Sequence, residues 1–381
     1  MPHFTPEEFE ERRAKVRAAM AERGLDAMLL FAPESQYWAT GYDTFGFCFF
    51  QCLVIDQEGE FLLTRSADLR QARLTSTLAD DEIRIWKDQA GADPTADLAD
   101  LLAARGLAGK RLGIETDTQG LTAKWGMAMQ ARFGDQLVEA SDVLHLLRLY
   151  KSPAEVAMHR TAGEIGDAAY LKALDLIGPG ADEGAVLEAL QGEVFRLGGD
   201  YAGNEFIIGS GEGALLCRYF SGRRKMDAQD QITLEWAGAW RRYHAALMRT
   251  VTVGGPRPEH ISMHAAAHDA LLACEEALKP GRAMGEVFDA HAVTLDKAGL
   301  GHARLNACGY SLGARYNPCW MDRFMFYEGA EQEMAPGMVF FLHMILMDSD
   351  TGAAMTLGRT SLVTETGSEP LSALSLELPQ R

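Results

Sequence analysis

Apolar residues recur at Phe9, Val16 and Met20 along an otherwise charged stretch, which is the spacing of a helix laying one face on a core. The pattern predicts a helix over 6–23, stopped by Gly24. The period then changes. The runs "DAMLLF" (26–31), "FCFFQCLVI" (47–55) and "EFLLT" (60–64) read as strands, with glycine and proline punctuation between them. Helical spacing returns near 66–78, 94–105 and 120–133, separated by the strand-like "EIRIW", "RLGIE" and "QLVEAS". Strands alternating with helices predict an open α/β domain over roughly 1–145.

A different pattern begins at "RLYKSPAEVAMHRTAGEIGDAAYLKALDLI". Ser152 and Pro153 supply an N-cap and a first-turn proline, and Glu155 lies in the first turn. The helix they start runs about 25 residues and opens a second domain. A helix over 182–197, hairpin-rich β segments over 205–254, a helix pair (260–277 and 284–298) and further β segments complete it. The boundaries are accordingly 1–148 for an α/β N-terminal domain and 149–381 for an α+β C-terminal domain.

Composition narrows the function classes. A net charge of −18 argues against nucleic acid or an anionic membrane as the main partner. The charged N-terminus, "MPHFTPEEFEERRAKVRAAM", has no apolar core of the kind a signal peptide needs. No apolar run reaches the roughly 18 residues of a membrane span. Six irregularly spaced cysteines suggest free thiols in a reducing compartment. Cys48 and Cys52, four apart in an expected strand, share a face there but lack a second pair to complete a zinc set. These features predict a cytoplasmic, soluble protein.

The order of motifs after Lys151 resembles the creatinase/prolidase family. The residues that carry it are "LRLYKSPAEVAMHRTAGEI", "IIGSGEGALLCRY", "ITLEWAGAWRRYHAALMRTVTVG", "GYSLG", "APGMVFFLH" and "GRTSLVTETG". The resemblance implies a creatinase-type N-terminal domain and a pita-bread catalytic domain. Metallopeptidases of this family hold two metal ions on two aspartates, a histidine and two glutamates. Those positions fall here on Glu235, Ala246, Tyr310, His343 and Gly358. One glutamate cannot supply the bridging oxygens that a dinuclear site requires, so neither metal nor other cofactor is expected. The pattern E-x-A-G-x-x-R-R-Y-H-x-x-L-x-R-T, from Glu235 to Thr250, is most similar to the ectoine hydrolase and creatinase branch, as is the loop with Tyr316, Pro318 and Trp320. That branch uses the pita-bread pocket without the metal pair and cleaves a C–N bond of a guanidino or cyclic amidine group in a small zwitterion. Where family members carry a histidine after the "SG" loop, this chain has Arg218.

Strand parity gives these residues candidate roles. The family's two aspartate positions point into one pocket, so the resemblance implies that Glu235 and Ala246 face it. Side chains alternate faces, so His244, two before Ala246, is expected there too, with Ala237, Gly238 and Ala246 leaving room for a ligand. The catalytic candidates are Glu235, His244, Tyr310 and His343. A glutamate in a partly apolar pocket can protonate a departing nitrogen or attack the amidine carbon. The plainer alternative is a buried Glu235 held by Arg241, Arg242 or Arg249. Substrate-binding candidates are Arg65, Arg218, Tyr243 and Trp320. The two arginines suit a substrate carboxylate, and the resemblance implies a homodimer in which Arg65 reaches the partner's site. Two metal sets are conceivable as well: Glu235, His244 and His343 for a single ion, and His260, His264 and His268 along one helix face for zinc. The rival function classes are a metal-dependent Xaa-Pro dipeptidase or lyase on the same fold, and a non-catalytic ligand-binding homologue.

Overall fold

Thr5 accepts a hydrogen bond from the Glu8 amide, Pro6 presets the first turn, and Gly24 closes the helix in a left-handed conformation (φ 63°). Between them lies α1 (Pro6–Arg23), with Phe9, Val16 and Met20 buried. The computed structural model describes residues 2–381. The chain divides into two units, one ending at Arg148 and the other spanning Leu149–Arg381.

In the first unit α1 is followed by β1 (Ala27–Leu30), α2 (Pro33–Thr40), β2 (Cys52–Asp56), β3 (Glu60–Arg65), α3 (Leu69–Thr75) and β4 (Ile83–Trp86). Next come α4 (Pro94–Ala104), β5 (Leu112–Ile114), α5 (Ala123–Phe133) and β6 (Leu137–Glu139). The strands form one mixed sheet in the order β4-β3-β2-β1-β5-β6. Met28, Leu30, Leu53 and Ile55 pack in one core layer, and Ala27, Leu29, Cys52 and Val54 in the other. Both faces are therefore covered, which is why these strands read as continuous apolar runs.

The expected strand over 47–55 is shorter than its sequence suggests. Gly46–Cys48 is a single 3₁₀ turn, held by the Gly46 amide on Thr44 Oγ1 and pressed against the Asp68 carboxylate. Cys48 is consequently exposed and Cys52 buried, so they do not share a strand. All six cysteines are free thiols. Among the described residues no helix is long and apolar enough to cross a membrane.

The second unit follows α6 (Ser141–Leu149), a helix that spans the boundary. It opens with α7 (Pro153–Leu174), whose start is a reciprocal cap: Ser152 Oγ accepts the Glu155 amide, and Glu155 Oε2 accepts the Ser152 amide. Then come α8 (Glu183–Arg196), β7 (Ile207–Ser210), β8 (Asp230–Trp240), β9 (Tyr243–Val253), α9 (Pro258–Ala277) and α10 (Met284–Lys297). The unit ends with β10 (Gly309–Ser311), β11 (Val339–Asp348), β12 (Ala353–Val363) and β13 (Ser368–Pro370). One antiparallel sheet in the order β10-β11-β12-β9-β8-β7 unites them, with β13 added beside β12.

The hairpin β8–β9 is its spine, paired from Asp230↔Val253 to Trp240↔Tyr243. Its two-residue turn is made by Arg241 (φ 49°) and Arg242 (φ 69°), the left-handed pair that suits strand twist. Helix α7 lies flush on one face of it. Trp236 donates its indole N–H to the Gly166 carbonyl at 2.8 Å and stacks on Tyr170 at 4.9 Å. A β-carbon on Gly238 would fall 1.8 Å from the Ala162 oxygen and 2.6 Å from the Gly166 nitrogen, so only glycine fits there.

The fit gives a test. Gly238→Ala must push α7 away from the hairpin, and it should lower stability by about 3 kcal/mol or more. Thermal and denaturant unfolding measure this; a variant as stable as the parent would show that helix and hairpin are not packed this closely.

Candidate active site

The register of β8 and β9 decides which side chains share the uncovered face of the sheet. Glu235 pairs with Met248, Ala237 with Ala246 and Ala239 with His244, so all six point to the side away from Trp236 and Gly238. Further across the sheet, β10 and β11 align Tyr310 with Phe341, and β11 and β12 align His343 with Gly358. A cavity of about 500 Å³ opens over this face, a size suited to a small molecule. Its polar lining includes Glu235, Tyr310, His343, Arg218 and Asn204. Trp320, Met321, Met325, Ile207, Leu305 and Ile345 make an apolar wall.

A hydrogen-bonded chain crosses the floor. The Trp320 indole N–H donates to the Tyr310 hydroxyl at 2.9 Å, and that hydroxyl donates to Glu235 Oε1 at 3.3 Å. Burial drives the Tyr310 pKa far up, and the nearby Glu235 charge adds to the shift, so the phenol keeps its proton and remains a donor. Burial also pushes Glu235 up to about 7, against the opposing pull of the Arg218 guanidinium and the Tyr310 hydrogen bond. His343 is lowered to about 3, by burial first and then by the charges of His291 and Arg218, and is a neutral imidazole at physiological pH. Arg218 is exposed at the edge of the cavity, donates to the Cys217 carbonyl at 2.6 Å, and has no ion-pair partner among the described residues. The arrangement therefore offers a carboxylate on the verge of ionising, two neutral hydrogen-bonding groups and an uncommitted cation.

Of the sequence candidates, Glu235, Tyr310, His343, Arg218 and Trp320 come together in this cavity. His244 and Tyr243 take other places in the same unit, and Arg65 belongs to the N-terminal unit. His244 has the expected face but is fully buried nearer the turn, where its Nε2 accepts the Gly203 amide at 2.9 Å; it does not line the cavity. Tyr243, one residue earlier, points to the opposite face, where its hydroxyl donates to Glu155 Oε1 at 2.8 Å. It braces the start of α7 rather than a ligand. Arg65, in the N-terminal unit, pairs with Asp88 at 3.1 Å and lies 3.7 Å over the Phe49 ring.

The alternative partners for Glu235 are also accounted for. Arg249 is on the helix-covered face and donates to the Met248 and Gly358 carbonyls. The turn places Arg242 over the Tyr316 ring and Arg241 beside Trp240. Neither metal set assembles, since no three ligating side chains converge among the described residues. His244 is committed to Gly203, His260 to Gln231 at 2.7 Å, and His264 to the Leu376 carbonyl at 2.8 Å.

Sequence reading missed Asn204, Cys217, Cys319, Met321 and Met325. They reach the cavity from loops that carry no periodic pattern, and only "GY" followed by the Pro-containing loop hinted at 318–321. A larger hollow, about 770 Å³, lies beside Glu183, Arg223 and Arg224. Two of its charged side chains are engaged, Arg224 with Asp230 at 2.6 Å and Glu183 with the Ser210 hydroxyl at 2.6 Å. The Glu235 cavity is the chemically better equipped of the two.

The raised pKa of Glu235 has a consequence for stability. Its folded value lies above the ordinary 4.5, so the fold favours the protonated form. Stability from this group is full below about pH 4.5 and is lost as pH rises through about 7. Glu235→Gln, which cannot ionise, should match the parent in acid and exceed it by up to about 3 kcal/mol above pH 8. Unfolding curves at a series of pH values, showing a constant gap instead, would place the Glu235 pKa in the ordinary range.

Comparison with known proteins agrees with the architecture. The model of the creatinase/prolidase N-terminal domain matches residues 12–150, and that of metallopeptidase family M24 matches residues 157–365. The ectoine hydrolase of Halomonas elongata is 30% identical over 400 aligned positions, covering 98% of each chain. Among solved structures, dipeptidase PepE from Mycobacterium ulcerans superposes with a TM-score of 0.86 at 23% identity, over 99% of both chains. The Xaa-Pro dipeptidase from Bacillus anthracis gives 0.83 at 20%, over 98% of this chain and 100% of that one. A creatinase-type N-terminal domain ahead of a pita-bread domain, matched along nearly the whole chain, makes this protein a member of metallopeptidase family M24, the creatinase/prolidase family.

Proposed function

We propose that the protein is a hydrolase cleaving a non-peptide C–N bond, that of a cyclic amidine or guanidino group, in a small zwitterion of the ectoine or creatine kind. The observation that carries this reading is the cavity's pair of opposite charges: a buried glutamate with its pKa near 7, and an arginine at the edge with no ion pair among the described residues. A zwitterion complements both. Its cationic amidine satisfies Glu235, and its carboxylate satisfies Arg218 through a bidentate pair. The likeness to an ectoine hydrolase over 98% of the chain supports the same substrate class.

Two routes are open to Glu235. As a carboxylate it can take a proton from water as that water adds to the amidinium carbon, then return the proton to the departing nitrogen. It can also add to the carbon itself, and water then releases the adduct. Either way one C–N bond breaks, the water oxygen becomes a carbonyl oxygen, and its hydrogens end on nitrogen. A glutamate with a pKa near 7 suits both routes at neutral pH, and a bound cation lowers that pKa further toward the ionised form. Tyr310 orients the carboxylate, and His343, neutral because burial lowers its pKa to about 3, offers a hydrogen bond across the cavity rather than a base.

The metal pair of the family does not fit these residues. Motif order puts a methyl group (Ala246), a protonated phenol (Tyr310) and Gly358 where ligands would stand. A β-carbon on Gly358 would lie 2.9 Å from the Phe341 ring, so that ring occupies the space a carboxylate would need.

A panel of ectoine, creatine, betaines and Xaa-Pro dipeptides tests the reading by thermal shift and turnover. Glu235→Gln should lower turnover of the cleaved compound by roughly 10²–10⁴-fold, and Arg218→Ala should raise KM more than it lowers kcat. Mass spectrometry of quenched reactions separates the two routes, since only attack leaves an adduct on Glu235. Chelator-sensitive cleavage of Xaa-Pro dipeptides would instead make this a metallopeptidase, and binding without turnover across the panel would make it a non-catalytic homologue.

The reading includes a homodimer in which Arg65 serves the partner's site. Mixed dimers of inactive Arg65→Ala and inactive Glu235→Gln subunits should then recover part of the activity. A fully active monomer would end that idea.

A further inference from the structure

His244 is fully buried, and its ring centre lies 6.4 Å from that of Trp320. Its Nε2 accepts the Gly203 amide at 2.9 Å, so the ring proton resides on Nδ1, 3.5 Å from the Gly313 carbonyl. Gly203 in turn lies hard against Trp320: a β-carbon there would stand 2.8 Å from the Trp320 nitrogen and 2.9 Å from its Cα. The next residue, Asn204, accepts the Trp320 amide on Oδ1 at 3.1 Å. The Trp320 indole then donates to Tyr310 at 2.9 Å, filling one acceptor site of that hydroxyl and leaving its proton for Glu235.

We propose that His244 is a positioning residue for the reaction: by accepting the Gly203 amide it fixes residues 203–204 beneath Trp320, and so holds the indole that aims the Tyr310 hydroxyl at Glu235. The inference deepens the reading of this cavity as the reacting site and rests on it. Two neutral features make His244 suited to the task. Burial lowers its pKa to about 3, so the accepting lone pair is present at every working pH. The His159 ring holds the His244 carbonyl at 2.7 Å, which pins its backbone from the helix side.

The Trp320 indole N–H resonance, identified by its loss in Trp320→Phe, reports this chain without any substrate. His244→Leu keeps bulk and removes the acceptor; His244→Gln offers an amide oxygen near the place of Nε2. The leucine variant should shift the indole resonance in the same direction as Tyr310→Phe does. It should also lower kcat by about 10²-fold, the cost of a small misplacement of a reacting group, with KM little changed. His244→Gln should restore both. A leucine variant that leaves resonance and kcat in place, or a glutamine variant as impaired as leucine, overturns the proposal. Should His244→Leu fail to fold, Asn204→Ala removes the Trp320 amide acceptor and must shift the same resonance; an unmoved signal is equally fatal. Full activity in Glu235→Gln would refute the cavity as the reacting site, and the indole resonance would still decide whether His244 holds Trp320.

Discussion

One contact between backbones organises this sheet: the Ala162 carbonyl of α7 rests against Gly238, where a β-carbon would stand only 1.8 Å from its oxygen. Everything at the candidate site follows from that contact. With the helix flush on the hairpin, Trp236 and Gly238 are committed to the helix side, and the alternation of β8 turns Glu235 and Ala237 to the other side. A slip of one residue would send Glu235 into the helix and Trp236 into the cavity. The contact is thus a register lock, and it is made from two small residues on a helix and one in a strand.

Once Glu235 is fixed on the open face, its environment determines its chemistry. The groups that could have neutralised it are kept away: Arg249 faces the helix, and Arg241 and Arg242 are spent at the turn. What remains is a phenol, an uncharged imidazole and an arginine at the rim. Burial of a carboxylate with so little compensation is costly, and the cost is tolerated because the group is protonated for much of the time at neutral pH. A cationic ligand would relieve it.

Much of this was legible in the chain, for physical reasons that differ by element. Long helices announce themselves through caps, as Ser152, Pro153 and Glu155 did for α7. Gly24 likewise marked the end of α1. The strand face of Glu235 followed from its match to a family ligand position, and the same face for His244 followed from parity. Depth along that face did not: His244 has the right parity but lies near the turn, where the 203–204 loop covers it, and loops leave no period in a sequence. Tyr243 was assigned to a ligand although parity places it with the helix. The short helix α2 was overlooked because all eight of its residues are buried, which erases the polar face that periodicity relies on. The run 47–55 misled in the opposite way, as apolar residues in a 3₁₀ turn read like strand.

The Phe341 ring beside Gly358 bears on how such a cavity changes over evolutionary time. Under the correspondence expected from motif order, position 358 stands for a family glutamate, and here any side chain at 358 meets both that ring and the Leu342 carbonyl. A carboxylate introduced at 358 alone would clash before it could ligate anything, and trimming Phe341 alone would open a void in a packed floor. The obstacle is double, since a trimmed ring would still leave the Leu342 carbonyl 2.7 Å from any β-carbon at 358, so several coordinated changes separate the two chemistries. The order in which such substitutions accumulate then matters as much as their identity, and reversal becomes harder with each residue that grows into the vacated space.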